Sequence, residues 1–324
     1  MSIIEKALEK RRSQDRSQGQ EAPADEAPDR GAAPGGAEAG EPAGPESPWG
    51  SDEGSDRDVD VEIDFGWLRH QGLQVPGEHR TGLEEEFRIM KRPVLENAFG
   101  RGGVSPVEKG RLVMLTSALP GEGKTFCTLN LALSLAMEVE RTVLVVDADV
   151  ARPNVPWSLG FEADRGLMDL LTDASVALPD VLLRTQIPNL SVLPCGRPQG
   201  RSTELLASRA MSELLEDIHS RYSDRIVVFD TPPLLASSEP SVLARQMGQV
   251  LLVVEAESTA RVAVTRAVEL LDGCDVVLGL LNKSSNIPGI GYGGYGGYGY
   301  YGSHYTASPS SDPRDLGAAA AQTG

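Results

Sequence analysis

Residues 112–125 read Leu-Val-Met-Leu-Thr-Ser-Ala-Leu-Pro-Gly-Glu-Gly-Lys-Thr. The first four residues form an apolar run, which is typical of a parallel strand that is buried on both faces. From Ala118 onward the spacing of Gly123, Lys124 and Thr125 fits a phosphate-binding loop, with Ala118 in place of its usual first glycine. A long helical pattern follows the loop. The stretch therefore predicts a strand, a nucleotide-binding loop and a helix in succession.

The residue types of this loop suit a triphosphate. Small residues let backbone N–H groups curl around an anion in front of a helix N-terminus, while Lys124 meets the outer phosphates and Thr125 offers a hydroxyl to Mg²⁺. The alternative is a Gly-rich turn with a solvated lysine, which the flanking strand and helix make less attractive. We predict that the loop binds a nucleoside triphosphate through Pro120, Gly121, Glu122, Gly123, Lys124, Thr125 and Phe126.

Composition narrows the class of protein. The 324 residues carry a net charge of -17, and phosphate contacts need basic surface, so we expect no nucleic-acid partner. We see neither a run of roughly 18 apolar residues nor a signal peptide. The three cysteines, Cys127, Cys195 and Cys274, lack metal-ligand spacing. We interpret them as core residues of a protein in a reducing compartment and expect a cytoplasmic location.

The chain divides by composition into four parts. Residues 1–12 predict a short docking helix with Ile3, Ile4, Ala7 and Leu8 on one face, or alternatively a frayed terminus. Residues 13–82 are rich in acidic residues, Pro, Gly and Ala, and we predict a disordered linker with a weakly structured stretch at 61–80. Residues 83–284 predict the globular domain, and residues 285–324 a flexible tail.

Strands and helices alternate in the globular part, which predicts an α/β fold, namely a P-loop NTPase with a mostly parallel central sheet flanked by helices. The predicted strands are 112–117, 142–147, 190–194, 225–230, 249–254 and 275–281. The predicted helices are 83–99, 124–138, 166–172, 202–221, 238–246 and 258–272.

Acidic residues follow two of these strands. Asp147 and Asp149 come directly after the second, and Asp230 follows the apolar run of the stretch Ile-Val-Val-Phe-Asp-Thr-Pro-Pro. A single Asp at a strand end is usually a cap. Ligands bind at the carboxyl edge of such sheets, however, and carboxylates are ligands that Mg²⁺ accepts. Three aspartates sharing an edge with a phosphate-binding loop therefore favour a Mg²⁺ site.

Together these motifs resemble the bacterial protein-tyrosine kinases of capsule and exopolysaccharide synthesis. The likeness covers roughly residues 83–305 and includes Gly-Leu-Met-Asp-Leu-Leu, Leu-Ser-Val-Leu-Pro-Cys-Gly, Ser-Thr-Glu-Leu-Leu-Ala-Ser and Leu-Asn-Lys. The stretches Ile-Glu-Lys-Ala-Leu-Glu-Lys and Glu-Glu-Phe-Arg-Ile-Met-Lys-Arg-Pro look like the exosortase-associated branch.

The resemblance implies ATP and Mg²⁺ as cofactors. Lys124 would hold the outer phosphates, Thr125 would bind Mg²⁺ directly, and Asp149 and Asp230 would hold it through water. By analogy with the family, Asp147 would accept the tyrosine proton. Asn282 resembles a residue that contacts the base in related ATPases, although a cap after its strand is an equally good interpretation.

The resemblance also implies a substrate. Of the seven tyrosines, Tyr222 lies in the globular part, and the remaining six follow it in the tail. The alternative is a low-complexity Gly/Tyr tail that stacks or phase-separates. In the family, the tail tyrosines are the autophosphorylation sites, which here are Tyr292, Tyr295, Tyr298, Tyr300, Tyr301 and Tyr305.

Two family patterns are altered. Ala151 stands where an arginine is usual, with Arg152 one place later. The oligomerisation pattern appears as Glu85, Arg88 and Lys91, and the lysine lacks the bidentate fork of arginine, so we expect weaker assembly. The alternative for these three residues is an ordinary salt-bridged helix face.

The family context implies three partners: a separate transmembrane polysaccharide co-polymerase, further copies of the chain in a homo-oligomer or ring, and a tyrosine phosphatase. The co-polymerase would recruit the chain to the inner face of the membrane, where phosphorylation would regulate polymer synthesis and export. Two rival functions remain. One is a ParA/MinD-type switch ATPase, whose signature lysine is replaced by Leu119, and the other is a nucleotide-binding scaffold without kinase activity.

Overall fold

The computed structural model of the chain describes residues 59–77, 82–197 and 202–284. The predicted docking helix at 1–12 and the tail at 285–324 lie outside the described residues, so both stay predictions.

A seven-stranded sheet forms the centre of the domain, in the order β3-β4-β2-β5-β1-β6-β7. Neighbouring strands are parallel except for β3 and β4, which are antiparallel. The strands are β1 (Leu112–Ser117), β2 (Thr142–Asp147), β3 (Leu183–Arg184), β4 (Leu190–Leu193), β5 (Arg225–Asp230), β6 (Gln249–Glu255) and β7 (Val277–Asn282).

Nine α-helices accompany this sheet within the described part of the chain. They are α1 (Phe65–His70), α2 (Gly82–Phe99), α3 (Lys124–Ala136), α4 (Val155–Leu159), α5 (Leu167–Thr172), α6 (Ser202–Leu206), α7 (Arg209–Arg221), α8 (Glu239–Ala244) and α9 (Arg261–Leu270). None of the helices in the described ranges has the length and apolar character that crossing a membrane requires.

The two faces of the sheet belong to two separate apolar clusters. Successive residues of a strand point to opposite faces, so Leu112 and Met114 join a cluster with α5, α7, α8 and α9, while Val113 and Leu115 join a cluster with α1, α2 and α3. All six residues of β1 are buried. This double burial explains why the strand sequence is continuously apolar instead of alternating.

The predicted α/β class and parallel sheet are confirmed. Strands β1, β2 and β5 have the predicted bounds, and the other predicted strands agree to within one or two residues at their ends. The three cysteines are buried and free, as the prediction of core residues required. The short elements α1, α4 and β3 were not predicted, because two to six residues carry too little periodicity to stand out.

The predicted helix over 202–221 is wrong in one respect, because it is two helices. Ser208 has extended backbone angles between α6 and α7, and its hydroxyl accepts a hydrogen bond from the backbone N–H of Met211 at 3.3 Å. Serine is a preferred N-cap, so α7 begins anew after it.

The prediction that residues 61–80 are weakly structured and belong to a linker is wrong for residues 61–77. Ile63, Leu68, Leu73 and Val75 are buried in the cluster that includes α2 and α3. Asp64 caps α1 by accepting the backbone N–H of Gly66 at 2.7 Å. The four buried side chains are irregularly spaced in the sequence, so no local pattern reveals that they cover the sheet.

We predict that Leu68→Ala lowers the free energy of unfolding by about 2–5 kcal/mol, because it removes a fully buried side chain from this cluster. Urea denaturation measures the change. Val262→Ala, at a position that is 62% exposed on α9, is the control and should shift the free energy by less than about 0.5 kcal/mol. Equal effects of the two substitutions would show that residues 59–77 do not contribute to the core.

Candidate functional site

The phosphate-binding loop connects β1 to α3 at the carboxyl edge of the sheet. Gly121 and Gly123 have φ angles of 88° and 90°, a region that glycine tolerates and other residues rarely adopt. Gly123 is the N-cap residue of α3, and no side chain caps the helix there. The first N–H groups of a helix lack intrahelical acceptors, so this end of α3 suits an anion.

Lys124 is nearly buried at the start of α3. Its Nζ lies 3.4 Å from Oδ2 of Asp149, a side chain that follows β2. The lysine therefore stands between the loop and the first acidic motif, as the sequence predicted. A lysine held by one carboxylate at the start of a helix and beside a cavity is suited to receive a phosphate group.

Asp230 lies at the end of β5 with no exposed surface. Its Oδ2 accepts the hydroxyl of Thr125 at 2.6 Å, and its Oδ1 accepts the hydroxyl of Thr128 at 3.2 Å. Burial raises the pKa of Asp230 to about 6, against the lowering effects of Lys124 and of these hydroxyl donors.

These groups fit a magnesium ion bound with a nucleotide. The hydroxyl of Thr125 and the carboxylates of Asp149 and Asp230 are all oxygen ligands at one edge of the sheet, and Mg²⁺ takes one or two carboxylates plus phosphate oxygens and water. Across the described ranges, no group of three or more His, Cys, Asp and Glu side chains forms a metal site by itself.

Asp147 is placed differently from the sequence prediction. It pairs in register with Asp230 across β2 and β5 and is fully buried. Its Oδ2 accepts the backbone N–H groups of Asn154 and Val155, both at 2.9 Å, and its Oδ1 accepts that of Asp149 at 3.3 Å. Both oxygens therefore hold the chain between β2 and α4.

Burial and the neighbouring charge of Asp230 raise the pKa of Asp147 to about 8, while its three backbone donors act in the opposite direction. A raised pKa means that the carboxyl group of Asp147 holds its proton more readily, and a protonated carboxyl group cannot act as a base. The assignment of Asp147 as the direct proton acceptor stays a prediction, and the geometry supports a role in shaping the loop after β2.

A cavity of about 510 Å³ opens beside the loop. The segment after β2 contributes Ala151, Arg152 and Asn154, and the segment after β5 contributes Pro232 and Pro233. The remaining lining residues are Pro120, Gly121, Lys124, Thr125, Asp149, Pro153, Ala236 and Ser237. Arg152, one place after the position where the family has an arginine, is exposed at this cavity.

Three of the predicted nucleotide-binding side chains turn away from the cavity. Glu122 is 2% exposed, and its Oε2 accepts the backbone N–H of Leu119 at 2.6 Å. The ring of Phe126 packs edge-on against Phe87, with 6.4 Å between centroids. Asn282 donates from Nδ2 to the carbonyl of Glu122 at 2.8 Å, which favours the interpretation as a structural contact over a base contact.

The three predicted oligomerisation residues have different surroundings in the structure. Glu85 and Arg88 form an ion pair within α2, as the alternative interpretation had it. Lys91 is buried and donates to the carbonyl of Ser134 at 2.8 Å, with Oε1 of Glu138 at 2.6 Å. Lys91 thus ties α2 to α3, so its predicted role toward a second copy is not supported, while Glu85 and Arg88 stay candidates.

Sequence reasoning missed the threonines that join β1 and α3 to the end of β5. Thr128 lies one helical turn after Thr125, a spacing that places both hydroxyls on one face of α3. Thr116 donates to the carbonyl of Pro232 at 2.8 Å, and Thr231 donates to that of Leu115 at 2.8 Å. A hydroxyl at each strand end was the available signal.

The fold and the site define a P-loop nucleotide-binding protein. In agreement, the AAA domain family matches residues 111–276. The chain is 33% identical over 205 residues to the putative tyrosine-protein kinase EpsB of Ralstonia nicotianae, covering 62% of this chain and 27% of that protein. It is 33% identical over 162 residues to tyrosine-protein kinase YwqD of Bacillus subtilis, covering 50% of this chain and 67% of that protein.

Among solved structures, the VpsO kinase domain is 33% identical with a TM-score of 0.51, covering 61% of this chain and 96% of that one. The chain belongs to the AAA domain family and, within it, to the bacterial tyrosine kinases of capsule and exopolysaccharide biosynthesis. It spans about a quarter of the length of EpsB and two thirds of YwqD.

We predict that Gly123→Ala weakens nucleotide binding more than Gly121→Ala does. A Cβ at position 123 would lie 2.2 Å from Nδ2 of Asn282, whereas one at position 121 meets nothing within 4 Å. Both variants suffer the strain of positive φ, but only the first displaces the Asn282 amide. One lost buried hydrogen bond, about 1 kcal/mol, gives a further fivefold loss of affinity for a fluorescent ATP analogue.

The double variant Gly123→Ala with Asn282→Ala is the control for this prediction. If the two residues interact as described, the second substitution adds little to the first. Additive losses, or equal affinities of the Gly121→Ala and Gly123→Ala proteins, would contradict the proposed contact.

Proposed function

We propose that the chain is an ATP- and Mg²⁺-dependent protein-tyrosine autokinase that phosphorylates tyrosines in its own C-terminal segment. The observation that carries the proposal is the assembly of Lys124, Thr125, Asp149 and Asp230 around one cavity. The names of the relatives support it, since EpsB and YwqD are both called tyrosine-protein kinases. The substrate would be near, because Tyr292 follows ten residues after the end of β7 at Asn282.

Transfer of a phosphoryl group depends on positioning and charge neutralisation more than on covalent chemistry by the protein. In this proposal the N–H groups at the start of α3 and the ammonium of Lys124 bind the outer phosphates of ATP. Lys124 is already held beside the cavity by Asp149, so little reorganisation is needed when the phosphates arrive.

Thr125, Asp149 and Asp230 would hold the metal ion. When bound, Mg²⁺ supplies positive charge that neutralises the phosphate oxygens. The chain's own part is to keep these oxygen ligands in place, which it does through the hydrogen bonds of Asp230 to α3 and the ion pair of Asp149 with Lys124.

Asp147 supports this arrangement from below the cavity. By accepting the N–H groups of Asn154 and Val155 it holds the loop that carries Asp149 and Arg152. Its predicted service as the proton acceptor for tyrosine requires its carboxylate to become accessible during the reaction.

The C-terminal tyrosines are the proposed substrates, in particular Tyr292, Tyr295, Tyr298, Tyr300, Tyr301 and Tyr305. A Gly-rich chain of about 23 residues, the separation of Asn282 and Tyr305, has a root-mean-square reach of roughly 25 Å. This reach is enough to enter the site of a neighbouring subunit, so we propose phosphorylation in trans.

Each phosphate adds about -1.5 to -2 charges, and six would add roughly -9 to -12. That repulsion would limit assembly.

The biological setting is proposed from the relatives. A separate transmembrane co-polymerase would bind residues 1–12 and bring the chain to the inner face of the membrane, a tyrosine phosphatase would reset the tail, and the cycle would regulate polymer synthesis and export. Self-assembly through the neighbourhood of Glu85 and Arg88 would place one subunit's tail near another's site.

We predict that Lys124→Met lowers tail phosphorylation by at least about 100-fold, because it removes the cation that faces the phosphates. Incubation with labelled ATP and detection of phosphotyrosine measure the loss. Lys109→Met is the matched control, since Lys109 pairs with Glu216 outside the site. Undiminished phosphotyrosine in the Lys124→Met protein would refute the kinase proposal. Release of phosphate by the unaltered chain without phosphotyrosine would indicate a switch ATPase instead.

Phosphorylation in trans has its own test. A full-length Lys124→Met chain, which keeps the tail, is mixed with an active chain that lacks residues 290–324. We expect labelled phosphate on the inactive chain, because the Gly-rich tail reaches a second subunit. A label that never appears on it, while the unaltered full-length chain labels itself, would establish a cis mechanism.

A further inference from the structure

The phosphate-binding loop is fastened on the side that faces away from the cavity. There the buried carboxylate of Glu122 accepts the hydroxyl of Thr259 at Oε1 and the backbone N–H of Leu119 at Oε2, the latter at 2.6 Å. Thr259 lies in the turn between β6 and α9. The side chain in the middle of the loop is therefore bound to a different part of the sheet edge.

The end of β7 holds the same loop at two further points. Asn282 donates to the carbonyl of Glu122 at 2.8 Å, and Lys283 donates from Nζ to the carbonyl of Gly121 at 2.8 Å. Lys283 is itself held by Oε2 of Glu255 at 3.2 Å. We call Thr259, Asn282 and Lys283 the loop clamp.

The loop clamp comes from one connected corner of the domain. Glu255 and Asn282 end β6 and β7 in register, and the N–H of Ala256 donates to the carbonyl of Asn282 at 2.9 Å. Thr259 is fixed to the same corner, because its N–H donates to the carbonyl of Glu255 at 3.1 Å and its hydroxyl accepts the N–H of Glu255 at 3.2 Å. Parallel strands bring this corner beside the loop that follows β1.

We propose that Thr259 and Lys283 are positioning residues that set the affinity of the loop for ATP. The proposal rests on the proposed nucleotide binding and extends it to two residues outside the phosphate-binding motif. They fix the peptide groups of Gly121 and Glu122 before the nucleotide arrives, which removes part of the ordering that binding would otherwise require.

Charge gives the Thr259 contact a second role. Glu122 is an acidic residue within a loop that binds an anion, and its carboxylate is kept on the far side of that loop by its donors. If Thr259 loses its hydroxyl, Oε1 of the buried Glu122 carboxylate loses its hydroxyl donor, and turning toward solvent or the phosphates becomes less costly for this side chain. Like charges would then oppose nucleotide binding.

The experiment is equilibrium binding of a fluorescent ADP analogue to the full-length chain, followed by steady-state kinetics. Thr259→Val keeps the shape and removes the hydroxyl. We expect a loss of affinity of at least about fivefold, since the substitution removes a hydroxyl donor to a buried, charged carboxylate. The KM for ATP should rise by a similar factor, with kcat changed less than about twofold, because such a loss acts on binding in ground and transition state alike.

Two variants separate positioning from a general structural effect. Thr259→Ser restores a hydroxyl and should recover most of the affinity. Thr265→Val removes a threonine hydroxyl from an exposed position on α9, where that hydroxyl donates to the carbonyl of Arg261. This variant should bind the analogue like the unaltered chain. Lys283→Met tests the second point of the clamp independently and should also weaken binding. Thermal unfolding of each variant confirms that it is folded.

The outcomes distinguish the two proposals. If the unaltered chain fails to bind the analogue, the nucleotide-binding proposal itself is wrong. If it binds, and the folded Thr259→Val and Lys283→Met proteins bind equally well, the clamp proposal is overturned. A loss in Thr259→Val that serine does not recover also overturns it for Thr259.

Discussion

The burial of Asp230 is the constraint on which the site depends. A carboxylate without exposed surface is costly unless donors replace its water, and here the donors are the hydroxyls of Thr125 and Thr128 on α3. Because both hydroxyls come from one face of the helix, the interaction fixes how α3 sits over the end of β5. The same placement brings Lys124 to Asp149 and Gly123 against Asn282. The geometry of the loop is thus a consequence of satisfying one buried charge.

A second buried carboxylate, that of Asp147, lies beside Asp230 and adds to the free-energy cost of burying charge at this edge of the sheet. Asp147 and Asp230 pair in register, and each charge discourages the other, so burial and repulsion raise the pKa of Asp147. The chain offsets this with three backbone N–H groups at Asp147 and with hydroxyls and Lys124 at Asp230. A fold selected only for stability gains little from such a pair. Such a pair of buried carboxylates is expected at a functional site, where the charges of a bound cation and its phosphates would balance them.

The sequence was most informative where the structure is determined locally. β1, β2 and β5 were predicted with their observed bounds, because each is an apolar run that is buried on both faces and ends at a turn or an aspartate. Residues 61–77 were assigned to the linker because their four buried side chains follow neither a helical nor a strand period. Burial there depends on the surface that α2 and the sheet offer, which no local pattern contains. The break at Ser208 was hidden for the opposite reason, since its flanking residues favour a helix on both sides.

The same limit applies to the candidate site. The motif spacing indicated that Lys124, Thr125, Asp149 and Asp230 lie together, since the phosphate-binding loop and both aspartate motifs stand at the carboxyl ends of predicted parallel strands. The spacing included Glu122 among the nucleotide-binding residues, but its carboxylate is bound by Leu119 and Thr259 instead. Its orientation follows from a hydroxyl more than a hundred residues away in sequence. An acidic residue in an anion-binding loop is compatible with function only if its charge is held away from the phosphates by other donors. Those donors, and not the motif, explain why this loop can contain both Glu122 and Lys124.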